Sequence, residues 1–140
     1  MEELAELREK ILRGDLSSAL AIVDELEEMS RDDKINNIQS YAVVLLKHLI
    51  KQYAEKRTTK SWNVSIRNSA FKIKELNKRR KAGGHYLNSE ELKECFESVF
   101  AVALNSASLE IFEGVLEPEE IEAMIDKDVI IQRALVECQA

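Results

Sequence analysis

The sequence predicts an all-α protein, a single bundle of five to six helices built around one central hydrophobic helix and an antiparallel helical hairpin. Three observations predict it. Of 140 residues only four are Gly and one is Pro, so long stretches carry nothing that breaks a helix. Apolar residues recur at spacings of three and four, and no stretch alternates with period two for long. The densest apolar run, Tyr41 to Ile50, lies on a stripe made of Ile35, Ile38, Ala42, Leu45, Leu46, Leu49 and Tyr53, one face of a helix. A chain of this length suits one domain with a sizeable core, so residues 1–140 are expected to form a single unit.

Residues 1–30 are expected to form two acidic helices. The first, from Glu2 to Arg13, presents Leu4, Leu7, Ile11 and Leu12 and stops at Gly14, which tolerates the backbone angles of a helix end. Asp15 is placed to cap the second, whose stripe is Leu16, Ala19, Leu20, Val23 and Leu26. The hairpin is expected over residues 31–82. Ser30 reads as the cap of its central helix, with Asp32 and Asp33 in the first turn, where negative charge meets the positive end of the helix dipole. Val43, Val44 and Ile50 widen the apolar stripe until little is left for water. A polar connector, AEKRTTKS, follows, and Thr58 or Thr59 supplies the oxygen that starts a helix carrying Trp62, Ile66, Ala70, Ile73 and Leu76. Gly83 and Gly84 are expected to end it.

Residues 83–112 hold the clearest local signal. Asn88 and Glu91 form a capping box and Leu87 with Leu92 the hydrophobic staple, so a helix should begin at Ser89. It presents Leu92, Phe96, Val99, Phe100, Ala103, Ala107 and Ile111 and ends near Gly114. In residues 117–140, Pro118 sits at a first helical turn, where its missing N–H does no harm. Asp126 to Asp128 interrupt before the apolar tail VIIQRALVECQ, which is either tucked into the core or a contact for another subunit of a homo-oligomer.

The net charge of −6 hides an asymmetry. Residues 1–30 hold nine acidic and three basic groups, a balance of −6; residues 47–81 hold twelve basic and two acidic, +10; residues 82–140 hold three basic and thirteen acidic, −10. A cationic block thus stands between two anionic ones. It suits an acidic partner, or it is neutralised within the chain. With a pI near 5.1, long-range repulsion opposes general nucleic-acid binding, so an acidic protein partner or self-association is favoured over nucleic acid. The N-terminus lacks the cationic start and apolar block of a signal peptide. The longest apolar run is about half of the roughly 20 residues a spanning helix needs. A cytoplasmic protein without a membrane partner is expected. Cys95 and Cys138 are isolated thiols, read as small core residues.

The segment LLKHLIKQYAEKRTTKSWNVSIR resembles the hallmark of a bacterial helical family known as domain of unknown function twenty-nine: a leucine-rich helix with an embedded His and Lys, an Arg-Ser/Thr-x-Ser-Trp connector, and an Ile-Arg continuation. His48, Lys51, Arg57, Ser61, Trp62, Ile66 and Arg67 fall on those positions. The likeness covers residues 10–80 and weakens beyond. The resemblance implies an all-helical bundle and supplies no activity.

Six residues are candidates for binding a ligand or partner. His48, beside Lys47 and Lys51, is a general base or phosphate ligand if a pocket opens on it, and otherwise a hydrogen-bonded histidine at the edge of a core. Trp62 with Arg57, Lys60 and Arg67 is an aromatic platform rimmed by cations, or the bundle's largest core anchor. Arg79 or Arg80 with His85 forms an Arg-x5-His or Arg-x4-His string like that of small helical ribonucleases, but the Gly pair places His85 in a loop. The acidic pairs Glu90-Glu91, Glu119-Glu120 and Asp126-x-Asp128 lack the Glu-x-x-His partner of a di-metal site. No catalytic set, metal or cofactor is expected. The sequence therefore points to a non-enzymatic interaction module. A nucleic-acid-associated protein using Lys56, Arg57, Lys60, Arg67, Lys74 and Arg79 is the alternative, and a weak hydrolase or nuclease centred on His48 the third reading.

Overall fold

The computed structural model describes residues 2–79 and 83–139. Within them lie six α-helices, α1 (Glu2–Leu12), α2 (Leu16–Glu55), α3 (Lys60–Asn77), α4 (Ser89–Ser108), α5 (Pro118–Glu122) and α6 (Lys127–Glu137), and a 3-10 turn at Ile111–Gly114. No strand is present among the described residues; Lys78 and His85 form one isolated antiparallel bridge. The fold is all-α. Arg80 and Lys81, counted in the basic block, lie outside the described residues.

α1 ends as its glycine requires. Gly14 adopts φ +76, its N–H donates to the Ile11 carbonyl at 3.0 Å, and that of Asp15 reaches the Lys10 carbonyl at 2.9 Å, a Schellman closure. Asp15 then accepts from Ser18 N at 3.2 Å. The expected break at Ser30 does not occur: α2 runs unbroken for 40 residues. Between Leu16 and Glu55 there is no Gly or Pro. Ser30, Asp32 and Asp33 in mid-helix each cost only about half a kcal/mol relative to the best helix formers, too little to offset the hydrogen bonds and new caps that an interruption would require.

The chain divides into two compact units, one up to Ile35 and one from Asn36 onward. In the first, α1 has no buried residue, and Ala19 is the one core side chain contributed by α2. The second has an extensive core in which Ile38, Ala42, Leu45, Leu46, Leu49 and Ile50 of α2, Trp62, Ile66 and Ile73 of α3, Phe96, Phe100 and Leu104 of α4, and Ile130 and Ile131 of α6 are all buried. Each large apolar side chain so buried contributes about 1.5–3 kcal/mol. α4 packs on α5, α6 and the 3-10 turn, and α3 on α6; Ala103 and Ala107, both fully buried, let the neighbours of α4 come close. The tail helix α6 is tucked in through Ile130, Ile131 and Ala134.

α3 begins where Thr59 accepts from Trp62 N at 3.1 Å. Lys51 near the end of α2 faces Trp62, while Tyr41 and Val44 share a groove with Ser65 and Phe71, so α2 and α3 run antiparallel. α3 stops at Asn77, six residues before Gly83, which was expected to end it. Asn77 is buried and pairs with the backbone of Leu87: its Nδ2 donates to the Leu87 carbonyl at 3.0 Å and its Oδ1 accepts from Leu87 N at 2.8 Å. That side chain behaves like one rung of a ladder, fixing the loop that leads into α4. The capping box at Asn88 and Glu91 is formed in both directions. After α4 the chain turns through three successive left-handed residues, Phe112, Glu113 and Gly114 (φ 47, 62 and 77). Asp126 separates α5 from α6 by capping the latter, accepting from Asp128 N and Val129 N.

Candidate functional site

Helical spacing puts Lys47 and Lys51 on one face of α2, with His48 beside them. Both ammonium groups reach the same carboxylate just past the end of α4: Lys47 Nζ lies 3.1 Å from Glu110 Oε2 and Lys51 Nζ 3.3 Å from Glu110 Oε1. Burial pushes the Glu110 carboxyl up, but hydrogen bonds and charge from the two lysines outweigh it, and its pKa falls below the ordinary value. Lys51 is itself buried, an arrangement tolerated because its charge is paired and its stem packs on apolar neighbours.

Lys51 Nζ also stands 4.6 Å from the centroid of the Trp62 ring, and Arg57 Cζ stands 4.6 Å from the same centroid. Arg57 is held there by Glu55, Nε to Oε1 at 2.9 Å, and the other oxygen of Glu55 accepts from Phe112 N at 3.4 Å. Trp62 is 9% exposed. It serves as a core anchor whose π surface is engaged by this chain's own cations. Beside it Gln52, Thr58 and Asn63 form a hydrogen-bonded triangle with distances of 2.7, 2.9 and 3.1 Å.

His48 is 8% exposed, and its Nδ1 lies 2.8 Å from the Val44 carbonyl one turn back. Burial lowers its pKa below the usual histidine value, and the charges of Lys47 and Lys51 add to that; the Val44 bond opposes. The ring is therefore neutral at physiological pH. It is an uncharged, hydrogen-bonded imidazole at the edge of the core.

The remaining candidates lie elsewhere. Lys60 and Arg67, both exposed, line a groove of about 530 Å³ with Thr59, Asn63, Arg133 and Glu137. Arg67 also borders a second groove of about 440 Å³ with Val64, Phe71 and Lys74. A third, about 470 Å³, is lined by Val44, Ser65, Phe71 and Lys72 among others. Phe71 thus stands between two grooves, 57% exposed. Among the described residues Lys60, Arg67, Lys72 and Lys74 have no ion pair, while Lys47, Lys51, Arg57 and Lys78 do. Arg79 lies over the Tyr86 ring at 5.9 Å, and His85 is exposed in the bridge with Lys78.

The structure therefore sorts the six candidates into two groups. His48, Lys51 and Trp62 are buried near the end of α2, with the exposed Arg57 laid over the Trp62 ring; Lys60 and Arg67 are on the open face of α3. Sequence reasoning missed Glu55, Glu110 and Arg133. Glu110 stands 59 residues from Lys51, and no local pattern ties the two.

Among the described residues no cluster of three or more His, Cys, Asp or Glu is placed to hold a metal ion, and no helix is long and apolar enough to cross a membrane. Residues 4–129 match the family described as "Domain of unknown function DUF29". The chain belongs to that family. The DUF29 match thus extends past residue 80 through α4 and α5, beyond the stretch in which the likeness is clear by eye. No curated protein and no solved structure matches the chain.

Proposed function

We propose that this DUF29 chain is a protein-interaction module whose α3 face receives an acidic amphipathic helix. The observation that carries the reading is Phe71, a large aromatic side chain more than half exposed between two grooves and bordered by Arg67, Lys72 and Lys74, none with an ion pair among the described residues. An aromatic centre in a cationic surround is what a partner with an apolar stripe and flanking carboxylates fits. Lys60 and Arg67 belong to this face directly. Lys51 and Arg57, over the Trp62 ring, support it by fixing the start of α3 against the end of α2, and His48 lies one turn back on α2, bonded to its own helix.

An acidic protein is favoured over nucleic acid on two grounds. The overall charge is −6, which opposes association with a polyanion. Trp62, the one indole a base could stack on, is buried with cations of its own chain over its ring. A hydrolase built on His48 finds no support in a buried ring that already bonds the Val44 carbonyl. The cytoplasm is the compartment that suits this reading, with one thiol buried and the other, Cys138, pushed up to about 12 chiefly by burial.

The test is fluorescence anisotropy with a labelled acidic amphipathic peptide. Saturable binding is expected, weakened about tenfold or more by Phe71→Glu or Arg67→Glu. Absence of saturable binding sinks the reading. Salt-sensitive retention of a single-stranded oligonucleotide, lost in Arg67→Glu, would put nucleic acid in its place.

A further inference from the structure

The unit that ends at Ile35 exposes apolar side chains on both its helices: Leu4, Ile11 and Leu12 on α1, Leu16, Leu20 and Val23 on α2. On α1, Leu4, Ala5, Leu7, Ile11 and Leu12 shape a largely apolar groove of about 720 Å³. A segment of this length is too short to bury a core of its own, and an apolar face of this extent marks an interaction surface. Arg8 is the one charged side chain lining it, but the segment around it is strongly acidic. Residues 1–30 hold nine acidic and three basic groups.

Charge decides among the possible occupants. A second acidic arm of the same kind would set −6 against −6, and an anionic lipid surface would be repelled in the same way. What fits is an apolar surface of positive sign. The α3 face is one: residues 60–77 carry four basic groups against one acidic, around the exposed Phe71.

We infer that the partner of the α3 face is the N-terminal acidic arm, residues up to Ile35, of a second copy of this chain. This rests on the interaction reading and names its partner. Each copy has one arm and one face, so a two-fold pair that satisfies both contacts reciprocally leaves no arm or face unpaired, and a reciprocal dimer is the assembly inferred. The second contact forms within an already joined pair, which raises the apparent affinity without any new chemistry.

Sedimentation equilibrium of the full chain over a range of concentrations tests it. The expected mass at high concentration is twice the 16.0 kDa of one chain. Leu20→Glu in the arm and Phe71→Glu in the face, both at exposed positions, should each raise the dimer dissociation constant about tenfold or more. An equimolar mixture of the two variants should regain dimers, because the intact arm of one meets the intact face of the other. The charge reversals Arg67→Glu with Lys74→Glu should act as Phe71→Glu does. A chain that stays at 16.0 kDa at every concentration overturns the inference, as does a dimer indifferent to Phe71→Glu or a mixture that regains nothing. If the chain stays monomeric while the acidic peptide still binds, the arm is not the partner but the docking face stands; if the peptide also fails to bind, both readings fall.

Discussion

Two halves of one helix have opposite surroundings. In α2, Leu45 and Leu46 are 0% and Leu49 3% exposed, whereas Leu16 is 67%, Leu20 62% and Val23 41% exposed. Both sets recur at helical spacing and both look like core stripes. The later half shares its unit with α3, α4 and α6; the earlier half has only the eleven-residue α1 in its unit. Periodicity thus reports which face of a helix is apolar, while the number of helices available to cover that face decides whether it becomes core.

The sharpest way to break this comparison is a matched pair of truncations. Leu46→Ala should lower the stability of the later unit by about 2–5 kcal/mol, while Leu20→Ala should change it by less than about 0.5–1 kcal/mol, both measured by urea denaturation. Equal losses would mean that the arm is packed as firmly as the core. Next in size is Asn77→Ala, which strips both Leu87 backbone groups of their partner in a buried place; a loss of about 1–3 kcal/mol is expected, with faster amide exchange at Leu87. Gly114→Ala should cost about 1–2 kcal/mol, since Gly114 holds φ +77 and an added Cβ would stand 3.0 Å from the Leu109 carbonyl oxygen.

The smallest effect is a pH slope confined to the later unit. His48 binds its proton less readily folded than unfolded, so acidification through the ordinary value of 6.5 favours the unfolded chain. Stability should fall as pH drops below that value and level off once the folded form also protonates. His48→Gln should flatten this part of a Tm-against-pH curve. A slope unchanged by the substitution would show that the imidazole is not held neutral by its surroundings.

Several of these features could be read beforehand, and the reason is range. The start of α4 follows from Asn88, Glu91, Leu87 and Leu92, all within six residues. The family likeness at His48, Lys51, Arg57, Trp62 and Arg67 is likewise local. The continuity of α2 was hidden because Ser30 and Asp32 are good caps and yet only mildly poor helix residues, so their pattern fits a break as well as a run. The end of α3 was hidden because Asn77 is claimed by Leu87, ten residues on. Of the six candidates, Lys60 and Arg67 are exposed on α3, whereas the Trp62 ring is turned inward and the aromatic side chain exposed on that helix is Phe71, which no spacing singled out. The carboxylates that gather Lys47, Lys51 and Arg57 come partly from Glu110, reachable only once α4 has folded back on α2.

The lone indole, seated in the later unit beneath Lys51 and Arg57, makes this protein its own optical probe with a blind spot. Its emission should shift to the red when the end of α2 parts from α3, yet melting of the first fifteen residues would leave the spectrum unchanged. A fluorescence titration compared with far-ultraviolet dichroism on the same sample would therefore separate the loss of α1 from the loss of the helices around Trp62.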